Sequence, residues 1–265
     1  RAIASLERDL GVALLTRTTR FVKTTDAGAL YLENARRIIY DVQLAHDSVI
    51  GMNTEPKGHL TVTAPVLFGQ RYVIPGIIDY LSRYPDTQVE AVFLDRLVNL
   101  LEEGFDVGIR VGELPDSSMR ARKVGEVRLL LVATENYLAL HGIPRTVQEL
   151  KQHSLISARL GNMSNDWKFI VNGKKTLLHV QPRLTVSNNQ AAISAAKQNF
   201  GITRVISYQV ADELADGRLK TVLEHAELPS LPVHIVHREG RHSSSKVRYF
   251  IDLLSLRLSQ EFNQH

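Results

Sequence analysis

Between Gly28 and Met52 the sequence places Gly28, Tyr31, Ala35, Ile38, Val42, Ala45, Val49 and Met52 at intervals of 3, 4, 3, 4, 3, 4 and 3 residues. Only a helix brings such positions onto one face, and a stripe of two positions in seven is narrower than a globular core requires. The spacing predicts a helix from Asp26 to Met52, about 40 Å long at ~1.5 Å per residue. It would pair with another long helix through Tyr31, Ala35, Ile38, Val42, Ala45 and Val49. The alternative is one helix lying on its own domain. Pro56 and Gly58 in "NTEPKGH" predict a linker after it.

In front of this helix, Ile3, Leu6 and Leu10 repeat at helical spacing, and Gly11 follows where a left-handed cap would end the turn. The run "RTTRFVK" at residues 17–23 predicts a small ribbon or turn, and Thr25 and Asp26 are cap-type residues opening the next helix. Residues 1–40 hold seven Lys or Arg against four acids, +3 of the total +4, so the other 225 residues are close to neutral. A basic front of this kind suits an anionic partner such as a phosphate backbone; a mildly basic solvated surface is the competing reading.

From residue 59 the periods alternate. "HLTVTA" reads as a strand, "FGQRYVIPGIIDYLSRYP" as a helix built on Val73, Ile77, Ile78 and Leu81, "QVEAVFL" as a strand, "RLVNLLEEG" as a helix and "DVGIRV" as a strand. This βαβαβ order predicts a mostly parallel sheet with helices on its faces. A second set follows in "RLLLVATE", a helix from about Glu135 to His141, "LTVSN", "QAAISAAKQNFG" and "ITRVI". The chain returns through "PVHIVHR" and closes in an amphipathic helix carrying Val247, Phe250, Ile251, Leu254 and Leu258.

At 265 residues, 44% hydrophobic and 23% charged, the chain is long enough for about two domains with real cores. With no cysteine, disulfides and thiolate metal sites are excluded. No apolar run approaches the roughly 18 residues of a membrane span, and the N-terminus lacks the apolar core of a signal peptide. A cytoplasmic protein without a membrane partner is expected. Enzymatic signatures are missing: there is no G-x-S-x-G elbow, no G-x-G-x-x-G after a strand, and "GRHSSSK" lacks the second glycine of a phosphate loop. His234 and His237 fall on opposite sides of a predicted strand, and Glu102 and Glu103 do not face each other on a helix. No catalytic residue, cofactor or metal is expected.

The stretch "RAIASLERDLGVALLTRTTRFVKTTDAGALYLENARRII" resembles the second half of the winged helix-turn-helix of LysR-type transcriptional regulators, running into their dimerising linker helix. Ile3, Leu6, Glu7, Leu10, Gly11, Leu14, Arg17, Thr25, Ala27 and Gly28 carry the match, while Leu15 stands where the family usually has Phe. The resemblance implies that Arg1 and Ser5 lie on the recognition helix and Arg17, Thr18, Thr19, Arg20 and Lys23 at the wing, with the earlier helices of that domain absent. Recognition-helix donors read base edges and wing cations grip phosphate. "HLTVTAP", "FGQRYVIP", "LEEGFDVGIRVG", "NFGITRVISYQVADELADGRL" and "KVRYFIDLL" resemble the effector-binding region of the same family.

The resemblance thus implies an α/β fold in which a partial winged helix-turn-helix (1–25) and a linker helix with hinge (26–57) precede a two-lobed, periplasmic-binding-protein-like effector domain (58–265). Lobe I would take about 58–130 and 234–265 and lobe II about 131–233, with a hinge near Leu130 and Val233. The expected function is a DNA-binding transcriptional regulator, dimeric or tetrameric, that couples a small-molecule effector allosterically to operator DNA. A solute-binding protein without DNA-binding role is the rival; it explains the lobes but neither the basic front nor the heptad helix.

In open α/β sheets ligands collect at the carboxyl ends of strands. Four places qualify: Ala64 to Phe68, Arg110 to Glu113, Ser187 to Asn189, and the strand around Thr203 and Arg204. Pro65, Val66, Leu67 and Phe68 offer no hydroxyl where family members often place Ser or Thr for an effector carboxylate, so the effector is less polar there or its charge is held elsewhere. Arg204, on an apolar face with Ile202 and Ile206, either holds an anion or closes an internal ion pair, and Arg110 carries the same ambiguity. Asn188 and Asn189 open a helix, where capping is the default role. Trp167 is expected in the core.

Overall fold

A computed structural model describes residues 2–17, 21–32, 34–35, 38–39, 42, 55–114, 119–158, 166–226, 230–237 and 244–263. Helix α1 (Ala2–Leu10) ends where Gly11 takes φ +67°, a conformation that costs glycine least. Strands β1 (Leu15–Arg17) and β2 (Val22–Thr24) then pair antiparallel, Leu15 opposite Thr24 and Arg17 opposite Val22. The Glu7 carboxylate accepts the amides of Leu14 (2.7 Å) and Leu15 (2.9 Å), fastening α1 to the ribbon. The Thr25 hydroxyl donates to the Ala13 carbonyl (2.7 Å) and accepts the Gly28 amide (2.9 Å), the N-cap of α2. Helix α2 is seen at residues 26–32, 34–35, 38–39 and 42. A Cβ on Gly28 would sit 1.9 Å from the Leu14 carbonyl oxygen, so glycine there is a demand of the fold.

Two five-stranded sheets follow. The first has the order β4-β3-β5-β14-β6. Strands β3 (Gly58–Ala64), β4 (Thr87–Phe93) and β5 (Val107–Val111) are parallel, whereas β14 (Leu231–His237) runs antiparallel to β5 and to β6 (Arg120–Val127). The second has the order β11-β8-β12-β7-β13. Here β8 (Leu155–Ala158), β11 (Leu184–Val186) and β12 (Ile202–Ile206) are parallel, β7 (Leu129–Ala133) runs against them, and β13 (Lys220–Val222), antiparallel to β7, points their way again. In each sheet four strands share one direction and a single strand, β14 or β7, is reversed. Strands β7 and β14 enter each from the other sheet, at the edge where the parallel strands leave, and so run against them.

Helices α3 (Val66–Phe68) and α4 (Ile74–Arg83), joined by a π turn over Gly69–Val73, pack with α8 (Ser245–Asn263) on the first sheet. Val247, Phe250, Ile251, Leu254 and Leu258 are all buried, as their spacing predicts, each side chain stabilising by roughly 1.5–3 kcal/mol. Val73 at the end of the π turn and Gly76, Ile77 and Tyr80 on α4 are buried, with Leu254 of α8 against Gly76, whereas Ile78 is 60% exposed. The second sheet carries α6 (Asn189–Lys197) on one face. Its other face holds α5 (Glu135–His141) and a hairpin of β9 (Asp166–Val171) and β10 (Lys174–His179). Trp167 is in that core.

The helix expected in "RLVNLLEEG" is a series of turns. Local polar groups outcompete helical propensity: Asn99 Oδ1 accepts the Leu101 amide (3.1 Å), and Glu103 accepts both the Asn99 amide (3.2 Å) and the Arg96 guanidinium. Leu97 is left 91% exposed while Val98 and Leu100 plug a small core on the outer face of the first sheet. Strands β6, β8 and β13 and the β9–β10 hairpin carry no period-2 signal strong enough to have been predicted.

Candidate functional site

The carboxyl end of β3 runs through Pro65 into α3, and the carboxyl end of β12 runs through a 3₁₀ turn (Ser207–Gln209) into α7 (Ala211–Ala215). These two strand ends meet at the junction of the sheets. Phe68 is fully buried there, its ring 5.2 Å from Tyr208 at 87° and 5.0 Å from Tyr72. Gly69 permits this packing, because a Cβ at that position would stand 2.5 Å from the Phe93 ring. Arg71 reaches Asp212 on α7, and Asn189 Nδ2 donates to Gln209 Oε1 (3.0 Å), which also accepts the Ile206 amide (2.9 Å). A groove of about 1090 Å³, counted to its open mouth, lies between Leu67, Gln70 and Arg71 on one side and α6 and α7 on the other.

Two polar groups give the junction its chemistry. The Val66 amide, the first free donor of α3, is taken by the carboxylate of Asp95 (3.0 Å). Among the described residues the buried Tyr208 hydroxyl makes no well-formed hydrogen bond, although the Gln209 amide, itself engaged by Ile206 and Asn189, interacts with it weakly. Burial pushes its ionisation well above the usual phenol range; the Gln209 side chain opposes this and the Asp95 carboxylate and Tyr72 add to it, so the group is a neutral donor at physiological pH. A buried hydroxyl left unpaired is uncommon and costs free energy until something accepts its proton.

The expected ligand residues separate into groups. Pro65, Val66 and Leu67 are partly buried at the junction, beside buried Phe68. Asn188 caps α6, its Oδ1 accepting the Ala191 amide at 2.8 Å, and Asn189 reaches across to Gln209. Thr203 is fully buried, its hydroxyl donating to the Ile156 carbonyl (3.2 Å), so it faces the interior and not a loop. Arg110 lies on the outer face of the first sheet, opposite His234 in register, and donates to the Val98 carbonyl. Arg204 lies under the β9–β10 hairpin, its Cζ 5.0 Å from the Trp167 ring centre. The internal carboxylate partner that was its alternative is not found among the described residues. Sequence reasoning missed Tyr208, Asp95, Arg71 and Asp212. Tyr208 was within reach of the strand-end rule, two residues beyond the end of β12; the others meet only through the tertiary fold.

At the other end of the chain, Ser5 is exposed on α1 and Lys23 on β2. Arg1, Thr18, Thr19 and Arg20 lie outside the described residues, as does the Arg17 side chain. On α2, Tyr31 is 38%, Ile38 60% and Val42 50% exposed, and Ala35 is partly buried. Ala45 and Val49 also lie outside the described residues. Leu30 and Ile39 are exposed beside this stripe, which makes the apolar face broader than the heptad positions alone. Among the described residues no helix is long and apolar enough to cross a membrane, and no group of metal-ligating side chains gathers.

A helix-and-ribbon unit, a long helix with an unburied apolar stripe, and two mixed sheets meeting at a cleft define a helix-turn-helix regulator joined to a small-molecule receptor. Comparison with known proteins agrees. The LysR substrate binding domain matches residues 53–258. The chain is 30% identical to a probable HTH-type transcriptional regulator, LtrA, of Klebsiella pneumoniae, over 96% of this chain and 84% of that protein. It is 28% identical to the HTH-type transcriptional activator AaeR of Escherichia coli, over 96% and 82%. Among solved structures it is similar to full-length AphB, a Vibrio cholerae virulence activator (TM-score 0.71, 27% identity, 95% and 86% covered). It is also similar to CrgA of Neisseria meningitidis (TM-score 0.70, 28% identity, 97% and 87% covered). The chain belongs to the LysR family of DNA-binding transcriptional regulators.

Proposed function

We propose that this regulator senses its effector at the junction of the two sheets, through Pro65, Val66, Leu67, Phe68, Asn189 and Tyr208, and that it acts allosterically, not as an enzyme. The Tyr208 hydroxyl carries this reading: among the described residues it is a buried donor without a well-formed hydrogen bond, poised for a ligand acceptor. A ligand bridging both strand ends favours one angle between the sheets, and only differential affinity for two conformations transmits to DNA. The protein works in the cytoplasm as a homodimer joined along α2, or as a homotetramer. Exposed Tyr31, Ile38 and Val42 support the pairing. Ser5 on α1 and Lys23 on the ribbon, with Arg1, Arg17, Thr18, Thr19 and Arg20, face operator DNA, and two half-sites held together multiply affinity.

The test is a thermal-shift screen of small acceptors, including aromatic and aliphatic acids, followed by mobility shift on DNA selected from a random pool. A hit that stabilises the protein, loses its effect in Tyr208→Phe and changes DNA affinity is expected. A hit whose effect survives Tyr208→Phe places the sensor elsewhere.

A further inference from the structure

Arg204 raises a different possibility from the junction. It projects from the face of the second sheet that the β9–β10 hairpin covers, whereas Val205 faces α6 and the groove side. Leu129, Leu131, Phe169, Val222 and Leu223 wall the space around its guanidinium, and exposed Lys168 borders the opening. This space is about 270 Å³ counted to its mouth, and its deepest part has room for about one water. Among the described residues neither Arg204 nor Lys168 has a carboxylate partner. Arg204 thus lies in an apolar pocket with Lys168 at its rim, and no anion among the described residues meets either.

A guanidinium drawn out of water without a counter-charge is costly, and stacking on one indole offsets only part of that cost. Burial pushes the Arg204 ionisation down to about 10, so the group stays cationic at neutral pH. The planar fork of an arginine matches a carboxylate, and aliphatic walls suit a hydrocarbon tail. Room can open because β9 and β10 form a sheet of their own. The hairpin is held to the five-stranded sheet by the side chains of Trp167, Phe169 and Leu178 and not by ladder bonds.

We propose that Arg204 and Lys168 form a second ligand site, for a small carboxylate with an apolar tail, under the β9–β10 hairpin and separate from the junction of the sheets. Its occupant seats one carboxylate on Arg204 and lays its tail along Leu129, Leu131 and Val222.

Trp167 is the single tryptophan of the chain and stacks on the Arg204 guanidinium, so its fluorescence reports the surroundings of that group. The whole chain is titrated with sodium hexanoate at constant ionic strength against acetate, chloride and hexan-1-ol. A saturable emission change with hexanoate is expected, weaker affinity with acetate, and none with chloride or hexan-1-ol. Arg204→Met should weaken hexanoate by about tenfold or more, as loss of a charged hydrogen-bond partner does. Lys168→Ala, at an exposed position, should weaken it by about threefold or more without disturbing the fold. Tyr208→Phe should leave the titration unchanged. A response that fails to saturate, that chloride reproduces, that persists undiminished in both Arg204→Met and Lys168→Ala, or that Tyr208→Phe removes overturns the site.

Discussion

Nη1 of Arg71 donates to both carboxylate oxygens of Asp212 at 2.9 Å, joining the helix that follows β3 to the helix that follows β12 across 141 residues of sequence. The Asp212 side chain is 67% exposed, so the pair stabilises the fold by no more than about 1 kcal/mol. Its consequence is geometric, because it ties one strand end to the other. Asp212→Asn should leave the thermal midpoint nearly unchanged yet widen the distribution of angles between the sheets. Small-angle scattering at low and high salt checks this, since the wild type should approach the variant as salt screens the pair.

Tyr208→Phe should be neutral or slightly stabilising. Removing a buried hydroxyl usually costs about 1 kcal/mol when it takes away a hydrogen bond. Here no well-formed bond is lost among the described residues, and a poorly satisfied polar atom disappears from the core. Chemical denaturation checks the sign; a loss above about 1 kcal/mol would mean that a water satisfies the hydroxyl.

Gly28→Ala should unfasten the DNA-facing unit without unfolding the sheets. The added methyl would lie 1.9 Å from the Leu14 carbonyl oxygen, and backbone cannot yield as a side chain does. A local cost of about 1–3 kcal/mol follows. Limited proteolysis should cut between α1 and α2 in the variant, while the melting of the two sheets stays as in wild type.

Ile38→Asp should give monomers with poor DNA affinity. Ile38 is 60% exposed, so the charge costs the monomer little. Across a paired helix seam the same carboxylate would meet its own copy in an apolar stripe. Sedimentation velocity decides; an unchanged dimer removes α2 from the interface.

Acid should weaken the protein in part through His153. Burial first, then His141, holds this imidazole below its ordinary value, with Glu149 acting in the opposite direction. The His153 ring shares a hydrogen bond at Nδ1 with the Tyr137 hydroxyl (3.2 Å), while Tyr137 accepts the Ser154 amide (2.9 Å). The unfolded chain takes up the proton at about pH 6.5, before the folded one does. This contribution is therefore complete above about pH 6.5 and lost as pH falls below it. Urea midpoints between about pH 7.5 and about pH 5.5 should fall less steeply in His153→Gln than in wild type.

The N-terminal elements were legible because their signals are local. Gly11 ends α1, Thr25 caps α2, and the two strands of the ribbon are seven residues apart, so no distant contact can overrule them. The helices α6 and α8 were legible for the same reason, in the spacing of apolar residues along one face. "RLVNLLEEG" was misread because Asn99 and Glu103 bind backbone and Arg96 in ways that helix periodicity does not encode. Thr203 looked like a strand-end residue, but its place inside the strand turns its hydroxyl onto Ile156.

The sequence by itself determined the identity of the parts: a basic helix and ribbon, a heptad stripe, two alternating sets of strands and helices. Each rests on spacing within one segment, which the chain's own stereochemistry enforces. Only the tertiary structure decided how those parts meet. The reversal of β7 and β14, the pairing of Phe68 with Tyr208, the seizure of the Val66 amide by Asp95 and the isolation of Arg204 beneath a hairpin all join residues distant in sequence. Spacing fixes which face a side chain occupies, but its partner is set by the sheet or helix that arrives on that face, and burial then determines the chemistry left unsatisfied.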